Sequence, residues 1–184
     1  MTKRKIILIG SGAVGTAFLY SAMNQGLASE YGIIDLNEKF VDGNVLDFED
    51  VSAAVEQPFH VYKASYKDCK TADIVVITAG RAQREGETRL DLVKDNAKIM
   101  KGIAQGVRKS GFQGITVIAS NPVDLMTLVY QQVTGFDHKK SGWFRNFTRF
   151  SSFDCRFSPP LLRSAELNWS LCFRWTWRFF GQCF

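Results

Sequence analysis

Three stretches of this sequence carry residue types at spacings that could do chemistry. The first is Gly10-Ser11-Gly12-Ala13-Val14-Gly15, a G-x-G-x-x-G pattern. By themselves these glycines fit any tight turn from strand to helix. Here an apolar run precedes them, a helical pattern follows, and Asp35 stands twenty residues after Gly15. In that context Gly10 permits the turn, Gly12 lets the backbone approach a pyrophosphate, and Gly15 lets the helix pack on the sheet. Free amides at the helix start would face the phosphates. Asp35 could accept hydrogen bonds from ribose hydroxyls and repel a 2′-phosphate, which selects NAD over NADP. The second stretch, Thr78 to Leu90, is a polar loop with Arg81, Arg84 and Arg89 beside Gly80 and Gln83. A basic loop is ordinarily solvated surface, but this one follows a strand, where ligands bind in open α/β sheets. The third is Ala119-Ser120-Asn121-Pro122-Val123-Asp124, a strand end whose Asn amide can both donate and accept. A plain helix-entry turn, with Pro122 in the first helical turn, explains it equally well. Neither histidine reads as catalytic: His60 lies in a strand pattern and reads as structural, and His138 follows Gly135-Phe136-Asp137 in a helix-exit turn and reads as plain surface.

The elements that must position these residues follow from periodicity. Lys5–Ile9 is a short β-branched run of the kind buried in parallel sheets. Ala13–Ala28 has a helical apolar face of Val14, Ala17, Phe18, Ala22 and Met23. Tyr31–Leu36 is the next strand, a helix begins near Asn37, and Phe59–Tyr62 is a weak third strand. Asp73–Thr78 and Ile115–Ala119 are strands flanking a helix at about Leu90–Ser110. Strands alternating with helices predict an α/β fold with a doubly wound parallel sheet and right-handed crossovers.

Composition places a boundary after about Lys140. The 184 residues are 46% hydrophobic and 22% charged, as in ordinary globular chains. No run reaches the ~18 consecutive apolar residues of a membrane span. Met1–Lys5 is basic but leads at once into a strand that ends in glycines, the start expected of a cytoplasmic protein rather than a secretion signal. The net charge of +5 comes mostly from residues 141–184, which hold six Arg, no Lys, and only Asp154 and Glu166. All four Trp, nine of the fifteen Phe, and Cys155, Cys172 and Cys183 lie there too. The cysteine spacings fit no zinc pattern, so no metal is expected. Arg interleaved with aromatics could bind nucleic acid or an anionic membrane, but no regular period supports it and neither partner is expected.

Together the G-S-G-A-V-G loop, the I-D-L-N strand end, T-A-G, Q-x-x-G-E-T-R and S-N-P-V-D resemble the lactate/malate dehydrogenase family, in order and spacing, from residue 4 to about 139. The resemblance implies a Rossmann domain binding NAD. It puts Gly10, Gly12, Val14 and Gly15 at the pyrophosphate, Asp35 on the adenosine ribose, and Tyr66, Gly80 and Arg81 along the cofactor. Arg89 becomes a catalytic residue on a mobile loop that closes over substrate and polarises its carbonyl. Asn121 touches both nicotinamide ribose and substrate. Gln83 stands six residues before Arg89, where malate enzymes of the family place an Arg for a second carboxylate. A neutral amide suits the methyl of pyruvate, so the implied substrates are pyruvate and L-lactate. The alternatives are a malate dehydrogenase and a non-catalytic NAD-binding fragment. Family members assemble as tetramers, through surfaces largely missing from this sequence.

The family's proton-donor His, its Asp partner and a carboxylate-binding Arg fall beyond residue 140 in the family pattern, and neither His60 nor His138 matches. The substrate domain is therefore expected to be absent, the sheet to lack its sixth strand, and the chain to be inactive. A changed reading frame accounts for this. Ser141–Phe150 can be coded AGT GGT TGG TTC CGG AAC TTC ACT CGA TTC. Read one base later, it gives V-V-G-S-G-T-S-L-D, the strand and Asp the family expects. Cys172–Phe184 can be coded so that the same shift yields A-F-V-G-H-G-D-S-S-G-S-V, with the catalytic-His segment. The glycines opposite Trp143, Trp175 and Trp177 are forced, because TGG shifted by one base always begins a Gly codon. On this reading residues 141–184 form an out-of-frame, poorly ordered tail after a 1–140 NAD-binding domain.

Overall fold

A computed structural model of the chain describes residues 4–55 and 57–136, and the backbone of 141–143. The chain divides into two units, Met1–Arg145 and Asn146–Phe184, and the described residues all belong to the first. The expectations for His138 and for the order of residues 144–184 lie outside the described residues.

Six strands form one parallel sheet: β1 (Lys5–Ile9), β2 (Glu30–Ile34), β3 (His60–Lys63), β4 (Ile74–Ile77), β5 (Ile115–Ile118) and β6 (Ser141–Trp143). Their spatial order is β3-β2-β1-β4-β5-β6. Leu8 pairs with Ile33 on one side and Val76 on the other, so β1 is central. Ile7, Leu8, Ile33, Val75 and Ile77 are wholly buried, as strands covered on both faces require. Helices α1 (Ala13–Asn24) and α2 (Glu38–Ser52) make the crossovers toward β3. Helices α3 (Arg89–Ser110) and α4 (Val123–Thr134) make those toward β6. Right-handed crossovers running outward both ways from β1 and β4 put the two pairs on opposite faces. A crevice results above the carboxyl ends of β1 and β4, where the strand order reverses. Under α3 and α4 the core joins Ile7, Ile9, Val75 and Ile77 to Met100, Ile103, Val107, Met126 and Tyr130. Each such side chain contributes about 1.5–3 kcal/mol of burial. Tyr130 keeps its hydroxyl satisfied against Thr116 Oγ1 at 2.9 Å.

The doubly wound parallel sheet read from periodicity is thus the observed one, with local differences. Helix α1 stops at Asn24, short of Ala28, because Gly26 at φ +60 turns the chain. The Gly26 and Leu27 amides then close on the carbonyls of Met23 and Ala22 at 3.0 Å. Pro122 is the residue before α4 rather than part of its first turn. A 3-10 turn over Tyr66–Thr71 was not anticipated. Its signal was Ser65-x-x-Asp68, a capping box in which the Ser65 amide donates to Asp68 Oδ2 at 2.8 Å. The missing sixth strand is a correction. Ser141, Gly142 and Trp143 pair in parallel with Thr116, Val117 and Ile118. Backbone ladder bonds are indifferent to side-chain identity, so the open edge of β5 accepts a strand of unexpected sequence.

Candidate functional site

The glycine turn sits between β1 and α1 and is locked from three sides. The Gly10 amide donates to Ile34 O at 2.8 Å, and Thr78 Oγ1 donates to Gly10 O at 2.5 Å. Gly10 has φ +98, and a Cβ there would lie 2.5 Å from Ala79 N. A Cβ on Gly15 would run into Gly10 O and lie 2.7 Å from Thr78 Oγ1. Gly12 differs: a Cβ there would meet nothing within 4 Å. It is the N-cap of α1, which has no side-chain cap and no acidic residue in its first turn. The bare amides of the helix start and the open space over Gly12 leave room for an anionic group, which a methyl would crowd. The residues present therefore fit a pyrophosphate.

Asp35 lies just past β2, half-buried, and its carboxylate is already in use. Oδ2 accepts from the Ser11 amide at 2.7 Å and from Ser11 Oγ at 3.2 Å, and Oδ1 accepts from the Asn37 amide at 3.1 Å. Burial pushes this carboxyl up, but the Ser11, Asn37 and Leu36 amides outweigh it and hold it below its ordinary value. An ionised acceptor thus clamps the glycine turn and still has lone pairs for further hydroxyl donors.

The loop after β4 folds onto Glu87. Arg81 Nη1 donates to Glu87 Oε2 at 2.7 Å, its Nη2 pairs with Glu87 Oε1, and Nη2 also meets Asp95 Oδ2 at 2.8 Å. The Arg84 amide donates to Glu87 Oε2 at 3.1 Å, and Gln83 Nε2 donates to Glu87 O at 2.8 Å. Arg81, expected along the cofactor, therefore has its guanidinium committed to carboxylates in this conformation. Arg89 opens α3, is exposed, and has no ion-pair partner among the described residues. The Arg81 pairing and the Arg84 amide hold the Glu87 carboxyl down to about 2. A carboxyl lowered on folding contributes stability above its unfolded value, ~4.3, and loses it as pH falls through the folded one. The loop should accordingly keep its shape down to about pH 2, seen as the Glu87 carboxyl midpoint by NMR; a midpoint near 4.3 would contradict the pairing.

At the end of β5, Asn121 is exposed, while Ser120 is buried and donates from Oγ to Ala79 O at 2.6 Å. Asn96 of α3, also buried, accepts from the Arg81 amide at 3.0 Å and donates to Asn121 O at 3.3 Å. Gly80 stands beside it; a Cβ there would be an ordinary 3.6 Å from Asn96 Oδ1. Gly10, Gly12, Gly15 and Asp35 thus form one cluster, and Gly80, Arg81 and Asn121 a second, joined through Thr78 and Ala79. Tyr66 is drawn elsewhere: its ring packs where a Gly106 side chain on α3 would be, with Cδ1 2.7 Å from that Cβ position. His60 is exposed on edge strand β3 and stacks on Tyr62 with ring centroids 5.4 Å apart, a surface role. Sequence reasoning missed Thr78, Ser11, Asn96 and Glu87 as the residues that hold these clusters.

A glycine turn at an uncapped helix start, beside a carboxylate that ends the second strand of a parallel sheet, defines a dinucleotide-binding domain of the Rossmann class. The chain belongs to the lactate/malate dehydrogenase family, whose NAD binding domain matches residues 4–141. It is 58% identical over 136 residues to an L-lactate dehydrogenase of Mesoplasma florum, covering 74% of this chain and 43% of that protein. It is 60% identical over 143 residues to one of Mycoplasma capricolum, covering 77% and 45%. Among solved structures, the minor L-lactate dehydrogenase of Enterococcus mundtii in its ligands-bound form superposes with a TM-score of 0.74 at 43% identity, covering 76% of this chain and 45% of that one. The chain thus spans less than half the length of the relatives it matches. Among the described residues, no helix is long and apolar enough to cross a membrane.

Proposed function

We propose that these residues are the NAD-binding part of an L-lactate dehydrogenase, a cytoplasmic homotetramer serving glycolysis and fermentation. When bound, NAD exchanges a hydride with the substrate carbon. The observation that carries the reading is the open space over Gly12 and the uncapped start of α1, next to the clamped Asp35. Gly10, Gly12, Val14 and Gly15 bind the pyrophosphate, Asp35 the adenosine ribose, and Gly80, Arg81 and Asn121 the nicotinamide side. Tyr66, in the 3-10 turn and packed against Gly106 of α3, borders the cofactor. Arg89 polarises the substrate carbonyl from the start of α3, where its exposed guanidinium is available. Gln83 faces the pyruvate methyl, and its neutral amide offers no ion pair to the second carboxylate of oxaloacetate. Residues 141–184 are read as out of frame, so the 184-residue chain binds NAD without turning substrate over.

Titration of the 184-residue chain with NADH and NADPH tests this. NADH should bind at least tenfold more tightly, because Asp35 repels a 2′-phosphate. Asp35→Asn should weaken NADH by about tenfold or more and narrow the preference, since a hydrogen bond to a charged group is worth about 1.5–3 kcal/mol. Equal binding of both cofactors by the unmodified chain would count against the reading.

A further inference from the structure

Asn96 lies seven residues into α3 and is itself assigned above to neither cofactor nor substrate, yet its amide joins two of the loops that are. It is 5% exposed. Its Oδ1 accepts from the Arg81 amide at 3.0 Å, in the loop after β4, and its Nδ2 donates to Asn121 O at 3.3 Å, in the loop after β5. A buried polar side chain is stable only when its donors and acceptors are matched, and here both halves of one carboxamide are used. No other uncharged side chain of this size carries an acceptor oxygen and a donor nitrogen on the same carbon. Aspartate could still accept from Arg81, but it would set a carboxylate against the Asn121 carbonyl. Leucine would offer neither bond.

Two features tie the link to the loops after β4 and β5. Asp95, next along α3, holds the guanidinium of the same Arg81 at 2.8 Å, so both backbone and side chain of that residue are fixed to α3. Gly80 faces Asn96 without a side chain, and a Cβ there would stand an ordinary 3.6 Å from Oδ1. Ser120 makes a second tie between the same loops through Ala79 O. That bond lies at the strand ends, whereas Asn96 reaches the Arg81 amide and the backbone of the exposed Asn121.

We propose that Asn96 is a positioning residue that sets the spacing between the Gly80-Arg81 backbone and Asn121, and so the seat of the nicotinamide half of the cofactor. The proposal rests on the dinucleotide reading of the site. It predicts an effect confined to one half of the ligand. ADP, which carries only adenosine and pyrophosphate, occupies the glycine turn and Asp35, and neither contacts Asn96. NADH occupies both clusters.

The test is calorimetric titration of the 184-residue chain and its Asn96→Asp variant with NADH and with ADP, alongside thermal unfolding. NADH affinity should fall fivefold or more in the variant while ADP affinity stays within twofold. Parallel losses of both ligands would reduce Asn96 to a structural residue, and unchanged NADH affinity would remove its role altogether; either overturns the proposal. Because the variant could fail to fold, side-chain NMR of the unmodified chain supplies a second readout. The Asn96 amide pair and the Arg81 N–H should shift together on adding NADH and stay still on adding ADP. Silence toward NADH, or equal response to ADP, would again overturn it. If the unmodified chain binds neither ADP nor NADH, the dinucleotide reading itself fails; ADP binding with no Asn96 effect sinks only the present proposal.

Discussion

A gene carrying one base fewer at the Ser141 codon should direct an active pyruvate reductase, while the 184-residue chain should consume NADH with pyruvate at least ~10⁴-fold more slowly. The expected gap follows from what the sequence as given does not supply. A positioned general acid is worth about 10²–10⁴ in rate. A bidentate Arg on the substrate carboxylate contributes orientation on top of that. The only histidines are His60 and His138. His60 is exposed on an edge strand and stacked on Tyr62, far along the sheet order from Asn121 at the end of β5. On the reading proposed above, Arg89 and Asn121 bind and polarise the substrate carbonyl but do not supply the general acid. With the codons written above, the shifted frame would supply a His-Gly-Asp-Ser segment and an Asp for its partner. Stopped-flow measurement of NADH oxidation on both products decides the matter. A shifted product no faster than the given chain would count against the frame reading, as would genomic DNA that cannot encode the alternative motifs.

The second large effect separates two glycines of one motif. Gly15→Ala should unfold or severely destabilise the domain, by about 3 kcal/mol or more, the range of strained overpacking. The added methyl would overlap Gly10 O and crowd Thr78 Oγ1 and Leu8 Cδ2, the last two at 2.7 and 3.1 Å. None of these can retreat cheaply. Gly10 is held by Ile34 O and by Thr78, and Leu8 is fully buried in the central strand. Gly12→Ala should leave stability within about 1 kcal/mol, because the methyl meets no protein atom within 4 Å and alanine is only a poorer helix cap. The same methyl would stand in the proposed pyrophosphate seat, so NADH affinity should drop tenfold or more. Urea unfolding and NADH titration on the two variants check both halves. Loss of stability without loss of binding in Gly12→Ala would reverse the assignment.

Much of this architecture is readable from local pattern. Lys5–Ile9 and Ile74–Ile77 are β-branched runs too short for helices, and α3 announces itself through Thr88 as N-cap, whose Oγ1 accepts from the Asp91 amide at 3.3 Å. The glycine motif and Asp35 sit where a strand–turn–helix unit must put them, since that geometry is set within about thirty residues. What stayed hidden are the bonds between distant segments. Thr78 reaches Gly10, and Asn96 joins Arg81 to Asn121, only because the sheet order brings β4 beside β1 and β5 beside β4. Arg81 reads as a free cation in the sequence, yet Glu87 and Asp95 claim it once the loop folds back on α3. Ser141–Trp143 has no strand signature of its own family and still extends the sheet, because an unpaired edge recruits backbone whatever its side chains. The sequence by itself determined the strands β1 to β5, the helices between them and the glycine motif beside Asp35, because propensity and turn chemistry act over a few residues. Tertiary structure alone decided which polar groups are consumed in holding the loops and which, like Arg89 and the space over Gly12, are left open to a ligand.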